Sequence, residues 1–180
     1  MLGFLGVEGV AERTKVVDLF CGIGGFSEGA RMAGHKVVLA VDCNRVLLGA
    51  HEANHRERDG CTHVCRTLPW EGMADLLPRR GPWHLHGSPP CQTLSGMAFA
   101  SGSELLGTGF ELVEWYVQLA LACSCTTWSM EQVSNARVLA FLERKKSAHP
   151  LKVDFEVVDA VDYGVPQHRR RLIAGSPVLV

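Results

Sequence analysis

A short apolar run that ends in a cluster of glycines most constrains how this chain can fold. The run covers Lys15–Phe20, and Gly22, Gly24 and Gly25 follow directly. An apolar run of this length indicates a strand buried on both faces, as in a parallel sheet. Glycines after such a strand let the backbone turn sharply and come close to a nucleotide-like ligand. The sequence therefore predicts a ligand site at the carboxyl end of the first strand.

Strand and helix patterns alternate along the rest of the chain, which predicts an α/β fold with a mostly parallel sheet. A short turn-like link joins the last two predicted strands, so we expect them to form an antiparallel hairpin at one edge. Strands are predicted at Lys15–Phe20, His35–Val41, Thr62–Thr67, Trp83–Gly87, Thr126–Met130, Val153–Val161 and Arg171–Ala174. Helices are predicted at Ser27–Ala33, Arg45–Asn54, Phe110–Cys123 and Val138–Lys146.

The composition excludes several classes of protein. The 180 residues suit one domain, and a net charge of -1 argues against a protein held on nucleic acid by charge alone. The basic cluster His168–Arg171 is a local patch that could still contact a phosphate backbone. The 7 cysteines are an odd number, and neither a secretory signal nor a long apolar stretch is visible. We therefore expect reduced thiols, an intracellular location and no membrane association.

Two cysteine-rich segments invite a zinc interpretation. Cys61, His63 and Cys65 alternate, and Cys123 and Cys125 are separated by one residue. Neither segment has the two-residue spacer of common zinc sites, and no second ligand pair is well placed. We therefore predict ordinary strand or helix cysteines and no metal.

An acidic residue at the end of the second predicted strand adds to the ligand site predicted at the glycine turn. Asp42 stands where a carboxylate can accept hydrogen bonds from both hydroxyls of a ribose. Ser27 occupies the third glycine position of the dinucleotide fingerprint, so a pyrophosphate ligand fits poorly. A ribose-bearing cofactor without pyrophosphate fits both observations, and S-adenosylmethionine is one. The alternative interpretation is a plain turn followed by a capping Asp.

A cysteine with two prolines before it follows the fourth predicted strand. Cys91 belongs to the segment Gly87–Gln92, in which Pro89 and Pro90 stiffen the backbone. A thiol beside a cofactor suits nucleophilic catalysis when its thiolate is populated. A buried structural cysteine is the alternative, but a Pro-Pro-Cys turn fills a core poorly.

Two further segments bring charged groups to strand ends. Glu131 ends the fifth predicted strand and is a candidate proton donor to a base, or alternatively a helix cap. Gln167, Arg169 and Arg171 alternate, so we predict that all three point to one face of an extended chain. A solvated basic run is the alternative.

The segments DLFCGIGG, AVDCN, GSPPCQ, MEQV and DYGVPQHRRRLIAG occur together in this order. The chain therefore resembles the cytosine carbon-5 DNA methyltransferase family, from Val16 to about Ser176. The resemblance implies a Rossmann-like class I methyltransferase fold with a seven-stranded sheet. Residues 1–15 would be an N-terminal extension and residues 16–180 the catalytic domain. S-adenosylmethionine would be the cofactor and carbon 5 of cytosine in DNA the methyl acceptor.

The resemblance also implies roles for individual residues. Cys91 would add to carbon 6 of a cytosine flipped from the duplex, Glu131 would contact the base, and Arg171 would hold both. Gln167 and Arg169 would be companions of Arg171 in its motif. Cofactor contacts are implied for Phe20, Gly22, Gly24, Asp42, Cys43 and Pro89.

The resemblance also implies roles for one loop and for Gln132. The stretch Ser95–Gly109 resembles the family's mobile loop, which closes over the flipped base. Gln132 stands where the family has an Asn that helps to position the loop carrying the nucleophile.

The family continues beyond the last matched segment with a variable target recognition region and a final helix. Since the chain ends at Val180, the resemblance implies that both are missing here. Either a second polypeptide supplies them or the chain is a shortened member. Three functions remain open: a DNA cytosine methyltransferase, a tRNA cytosine methyltransferase, and an inactive cofactor-binding remnant or subunit. Retention of the catalytic residues as a set favours an enzyme.

Overall fold

Seven strands form one sheet within residues 13–55, 60–90 and 109–179, which the computed structural model describes. The strand order is β3-β2-β1-β4-β5-β7-β6, and all pairings from β3 to β5 are parallel. Strand β7 runs antiparallel to both β5 and β6, which confirms the predicted hairpin at one edge. The strands are β1 Lys15–Leu19, β2 Lys36–Asp42, β3 Thr62–Cys65, β4 Trp83–Gly87, β5 Thr127–Gln132, β6 Asp154–Asp159 and β7 Arg170–Gly175.

The described helices agree with the predicted ones. They are α1 Gly25–Met32, α2 Arg45–His55, α3 Gly109–Ala122 and α4 Ala136–Ala148. Of these, α1, α3 and α4 begin one or two residues earlier than predicted. Helix α1 begins directly after Gly24, whose carbonyl accepts a 2.9 Å hydrogen bond from the backbone N–H of Glu28. Helix α4 begins directly after Asn135, whose side chain accepts from the N–H of Arg137 at 2.9 Å. Both caps precede the apolar spacing from which the helices were predicted.

The two faces of the sheet differ in chemistry. Alternate residues of the central strands, such as Val17, Leu85 and Trp128, form the main apolar core with α3 and α4. The residues between them include Asp18 and His86, which are register partners on the opposite face. Helices α1 and α2 belong to that face, which has only small apolar clusters. Polar side chains are therefore buried under α1 and α2.

The connection from β6 to β7 is pinned by one carboxylate. Asp159 accepts hydrogen bonds from the backbone N–H of Arg169 at 2.8 Å and from Nδ1 of His168 at 3.1 Å. These bonds hold the pKa of Asp159 below its usual value. Gln167 lies in a bend, where its N–H donates to the carbonyl of Val165. The prediction of one extended run from Gln167 to Arg171 is wrong, because β7 begins only at Arg170.

Three predicted features lie wholly or largely outside the described residues. They are Cys91, the N-terminal extension 1–15, of which residues 13–15 are described, and the stretch 95–109, of which only Gly109 is described.

Candidate active site

The glycine-rich turn after β1 carries three residues in the left-handed backbone region. Phe20 has φ 58°, Gly22 has φ 53° and Gly24 has φ 96°. A non-glycine residue in this region costs on the order of 1–3 kcal/mol, and such strain is concentrated at functional sites. The turn is tied to β2 by a 3.1 Å hydrogen bond from the N–H of Cys21 to the carbonyl of Val41.

The carboxylate of Asp42 is held at the tip of β2, facing this turn. Its Oδ2 accepts from the N–H of Gly22 at 2.9 Å, and its Oδ1 accepts from the N–H of Asn44 at 2.8 Å. Each oxygen keeps a further lone pair for a ligand. A Cβ built on Gly22 would meet nothing within 4 Å, so the space beside the carboxylate is open. A fixed acceptor beside open space fits the ribose of S-adenosylmethionine.

Gly24 needs to be glycine for a reason that the sequence did not reveal. A Cβ there would lie 2.5 Å from Nε2 of His55 and 2.9 Å from Cδ2 of His51. Close packing against α2 thus explains this glycine without a ligand.

Two more predicted cofactor contacts border the same edge of the sheet. The half-buried Phe20 ring meets Trp115 of α3 edge to face, with centroids 6.2 Å apart. Cys43 follows Asp42 and is exposed, and its pKa is raised by partial burial and by the nearby Asp42 charge.

The segment leading to Cys91 is held in place by neighbouring strands. The N–H of Ser88 donates to the carbonyl of Leu19 at 3.2 Å. Gln132 is 1% exposed, and its Nε2 donates to the carbonyl of Pro89 at 3.1 Å. Its Oε1 accepts from the N–H of Val133 at 2.7 Å, which orients the amide. Gln132 therefore ties β5 to the backbone two residues before Cys91.

An ion pair joins the carboxyl end of β5 to the amino end of β7. Nε of Arg171 lies 2.7 Å from Oε1 of Glu131, and the two side chains are 23% and 35% exposed. The antiparallel direction of β7 brings its first residues to the edge where the parallel strands end. Of the three alternating residues predicted to share a face, Arg171 makes this contact. Gln167 and Arg169 are exposed in the preceding connection.

A chain of half-buried hydroxyls and imidazoles around the buried His86 was not predicted from the sequence. His84 Nε2 and His86 Nδ1 both lie 2.8 Å from Oγ of Ser129, and His86 Nε2 lies 3.1 Å from Oγ of Ser88. The ring of Phe26 stacks on His86 with centroids 3.4 Å apart. Burial lowers the pKa of His84 to about 4 and that of His86 well below its usual value. The alternation His-Leu-His in β4 was the available signal, since it puts both rings on one face.

A second buried polar chain lies beneath the glycine turn. Oγ of Ser27 donates to Oδ2 of Asp18 at 2.7 Å, and His51 Nε2 lies 3.0 Å from the same hydroxyl. His51 Nδ1 lies 2.9 Å from Nε2 of His63. Burial raises the pKa of Asp18 to about 7 despite the Ser27 hydrogen bond. This network supports the turn from below.

The cysteine segments considered for zinc are separated in the fold. His63 contacts His51, while the Cys65 thiol donates to the carbonyl of Cys43 at 3.6 Å. Among the described residues, no group of three or more His, Cys, Asp or Glu could hold a metal ion. No helix in the described ranges is long and apolar enough to cross a bilayer.

The topology and the site together define a class of protein. A parallel sheet extended by the antiparallel β7 and β6, with a glycine turn after β1 and an acidic residue after β2, is a Rossmann-like class I methyltransferase fold. A sequence profile described as C-5 cytosine-specific DNA methylase matches residues 14–176. The chain therefore belongs to the C-5 cytosine-specific DNA methylase family, whose methyl donor is S-adenosylmethionine.

Curated relatives include two bacterial type II methyltransferases. M.AgeI of Thalassovita gelatinovora is 32% identical over 164 residues, which cover 88% of this chain and 38% of the relative. M.XorII of Xanthomonas oryzae pv. oryzae is 31% identical over 171 residues, which cover 87% of this chain and 39% of the relative. The chain thus spans about two fifths of the length of these relatives.

Solved structures share the fold. A prophage-encoded protein of E. coli, described as a DNA modification methyltransferase, superposes with a TM-score of 0.67 at 25% identity, covering 91% of this chain and 46% of that one. The Dnmt2 methyltransferase of S. pombe gives a TM-score of 0.65 at 17% identity, covering 91% of this chain and 50% of that one.

Proposed function

We propose that residues 16–180 are the catalytic core of an S-adenosylmethionine-dependent DNA cytosine carbon-5 methyltransferase. The observation that carries this proposal is the Glu131–Arg171 ion pair at the sheet edge where the Gln132-anchored segment leads to Cys91. This reaction requires a carboxylate that binds the base and a nucleophile, and both must lie at the same edge of the sheet.

The cofactor half of the proposal rests on the turn after β1 and on the tip of β2. Asp42 binds the ribose hydroxyls with the lone pairs left free by Gly22 and Asn44. Phe20, Gly24, Cys43 and Pro89 line the remainder of this cofactor site. When bound, S-adenosylmethionine supplies the methyl group on its sulfonium.

The base half of the proposal assigns a step to Cys91. Its thiolate adds to carbon 6 of cytosine, and the electron pair of the ring double bond moves toward carbon 5 and N3. Glu131 contacts N3 and the exocyclic amine, where its proton neutralises the developing charge. The guanidinium of Arg171 orients the Glu131 carboxyl through Nε. Gln167 and Arg169 contact the backbone around the flipped base.

The substrate and a partner complete the proposal. A cytosine flipped from duplex DNA costs a few kcal/mol of unstacking, which contacts to the surrounding duplex must offset. Specific DNA-binding modules bury about 600–2,500 Å² of protein surface. A target recognition region of the kind that the family carries, in the same or in a second polypeptide, supplies that surface, and DNA as substrate means that the chain acts inside the cell. Residues 16–180 without that region bind duplex DNA weakly and with strong salt dependence.

Trapping on 5-fluorocytosine tests this function. Fluorine at carbon 5 blocks the elimination that frees the enzyme, so duplex DNA with this base forms a stable adduct when S-adenosylmethionine is present. We expect an adduct that peptide mapping assigns to Cys91, and that Cys91→Ser abolishes. Cys61→Ser is the matched control and retains the adduct. An adduct on another cysteine, or one formed only with 5-fluorocytosine tRNA, contradicts the proposal.

A further inference from the structure

Two cysteines meet where α3 connects to β5. Cys123 follows the last residue of α3, and Cys125 precedes β5 by two residues. Their Sγ atoms are 3.3 Å apart, and both thiols lie against the carbonyl of Ala120, at 3.7 Å and 3.6 Å. A disulfide needs a sulfur separation of about 2.05 Å, so a small side-chain movement suffices to form one.

The backbone around the pair holds the two thiols together. The N–H of Cys123 donates to the carbonyl of Leu119 at 2.8 Å, which closes the last turn of α3. The N–H of Thr126 donates to the carbonyl of Trp83 at 2.8 Å, which fixes the approach to β5. Only Ser124 lies between the two cysteines, so neither thiol can move far from the other.

A cavity of about 410 Å³ opens beside both thiols. Its walls include Trp128, Lys152 and Val178, and its size suits a small-molecule ligand. Lys152 places a positive charge on the wall of this cavity, near Cys125. The cavity lies at the amino end of β5, whereas Glu131 lies near its carboxyl end. A molecule bound here therefore stays clear of the proposed active site.

The two thiols differ in their tendency to ionise. The hydrogen bond between the two thiols lowers the pKa of Cys123 to about 7. The same hydrogen bond, together with burial, raises the pKa of Cys125 well above its usual value. We therefore assign the nucleophilic role to Cys123 and the role of its protonated neighbour to Cys125.

We propose that Cys123 and Cys125 form a thiol–disulfide exchange site for small anionic disulfides of the glutathione type. This inference is independent of the proposed methyltransferase function. In intracellular proteins, disulfides are mostly transient, catalytic or redox-sensing. A ring closed across one intervening residue is strained, so its disulfide is readily reduced again.

The exchange proceeds in two balanced steps. The Cys123 thiolate attacks one sulfur of the small disulfide, forming a mixed disulfide and releasing one small thiolate. Cys125 then loses its proton and attacks the Cys123 sulfur, which forms the internal disulfide and releases a second thiolate. The protein is oxidised by two electrons, and one small disulfide is reduced to two thiols, which take up the protons.

Mass spectrometry of the reduced full chain treated with glutathione disulfide tests the proposal. For the wild type, we expect the loss of two hydrogens and a peptide that links Cys123 to Cys125. In Cys125→Ser, the reaction stops at one glutathione on Cys123. We expect this adduct to form at least roughly fivefold faster than the Cys125 adduct of Cys123→Ser. Peptide mapping counts adducts at Cys91 and at the control Cys61 separately.

Two variants of Cys125 test whether Cys123 reacts because its thiolate is stabilised or only because the thiol is accessible. The hydroxyl introduced by Cys125→Ser still donates to the Cys123 thiolate, whereas Cys125→Ala removes the donor. We expect several-fold slower Cys123 modification in Cys125→Ala. Equal rates in the two variants, or glutathione on Cys123 and Cys125 of the wild type without an internal disulfide, would overturn the proposal. Partial alkylation of the wild type gives the same ranking of thiols without any substitution, should a variant fail to fold.

Discussion

Nε of Arg171 lies 2.7 Å from Oε1 of Glu131, and this contact links the antiparallel β7 to the end of the parallel strand β5. We expect Glu131→Gln to lower the methyl-transfer rate by about 10²–10⁴, because an amide cannot donate a proton to N3 of the base. Partly exposed ion pairs contribute only about 0–1 kcal/mol, so the free energy of unfolding should change little.

Methyl transfer from labelled S-adenosylmethionine measures the rate of the Glu131→Gln variant, and urea unfolding measures its stability. Asp75→Asn breaks an exposed pair with Arg79 and serves as the control. A Glu131→Gln rate within threefold of the wild type would contradict this role.

Gln132 is predicted to act through the segment that carries Cys91. Gln132→Met keeps the volume but removes the hydrogen bonds to the Pro89 carbonyl and from the Val133 N–H. We expect a loss of about 1–3 kcal/mol of unfolding free energy, because buried polar groups are left unpaired. The rate of adduct formation with 5-fluorocytosine DNA should fall while the affinity for S-adenosylmethionine is retained. Unchanged adduct kinetics in the folded variant would remove the positioning role.

Asp42 is predicted to hold the cofactor. Asp42→Ala should weaken S-adenosylmethionine binding by roughly 1–3 kcal/mol, because the acceptor for the ribose hydroxyls is lost. Titration calorimetry measures the affinity, and Asp75→Ala controls for the removal of a carboxylate elsewhere. Equal affinities of Asp42→Ala and the wild type would exclude Asp42 from the cofactor site.

Gly24→Ala is predicted to destabilise the fold. A left-handed backbone costs an L-residue roughly 1–2 kcal/mol, and the added Cβ would lie 2.5 Å from His55 Nε2. Gly29→Ala, in the helix that Gly24 caps, adds a methyl group with nothing within 4 Å. We expect Gly29→Ala to stabilise the chain by about 0.5–1 kcal/mol. Thermal unfolding of both variants checks the opposite signs, and a neutral Gly24→Ala would contradict the packing argument.

Asp18 is predicted to make stability depend on pH. Its pKa is about 7 when folded, so the folded state keeps a proton that the unfolded chain, with a carboxyl pKa of about 3.9, has already released. Its stabilising contribution is complete below the unfolded pKa and is lost as the pH rises through the folded pKa. Relative to Asp18→Asn, the wild type should lose about 1.4 kcal/mol per pH unit between about pH 4 and pH 7.

Urea unfolding of both chains at several pH values measures this difference. The buried histidines, whose lowered pKa values act in the opposite direction, are present in both chains and cancel. The groups around Asp18 are Ser27 and, through it, His51, together with the charge of Asp42. A difference that does not change with pH would show that Asp18 ionises normally in the folded chain.

Much of the fold could be predicted from the sequence because the relevant forces are local or periodic. The apolar run Lys15–Phe20 and the alternation of strands and helices lead to a parallel sheet whatever the details of packing. The short link before Arg171 required an antiparallel last strand, and β7 is antiparallel to both of its neighbours. The family motif showed that Gln132 stands where other members have an Asn, but it did not show that this side chain donates a hydrogen bond to the Pro89 carbonyl.

Tertiary structure decided which side chains meet. The chain order separates Asp18, Ser27, His51 and His63, and only the packing of α1 and α2 onto one face brings them into a single buried network. Gly24 was predicted as a cofactor contact, and the fold adds its left-handed backbone and its close packing against His51 and His55 as further reasons for a glycine. The family motifs did not mark Cys123 and Cys125, whose 3.3 Å approach depends on where α3 ends and β5 begins. Sequence patterns record local propensity and burial, whereas contacts between distant residues arise only when the whole chain packs.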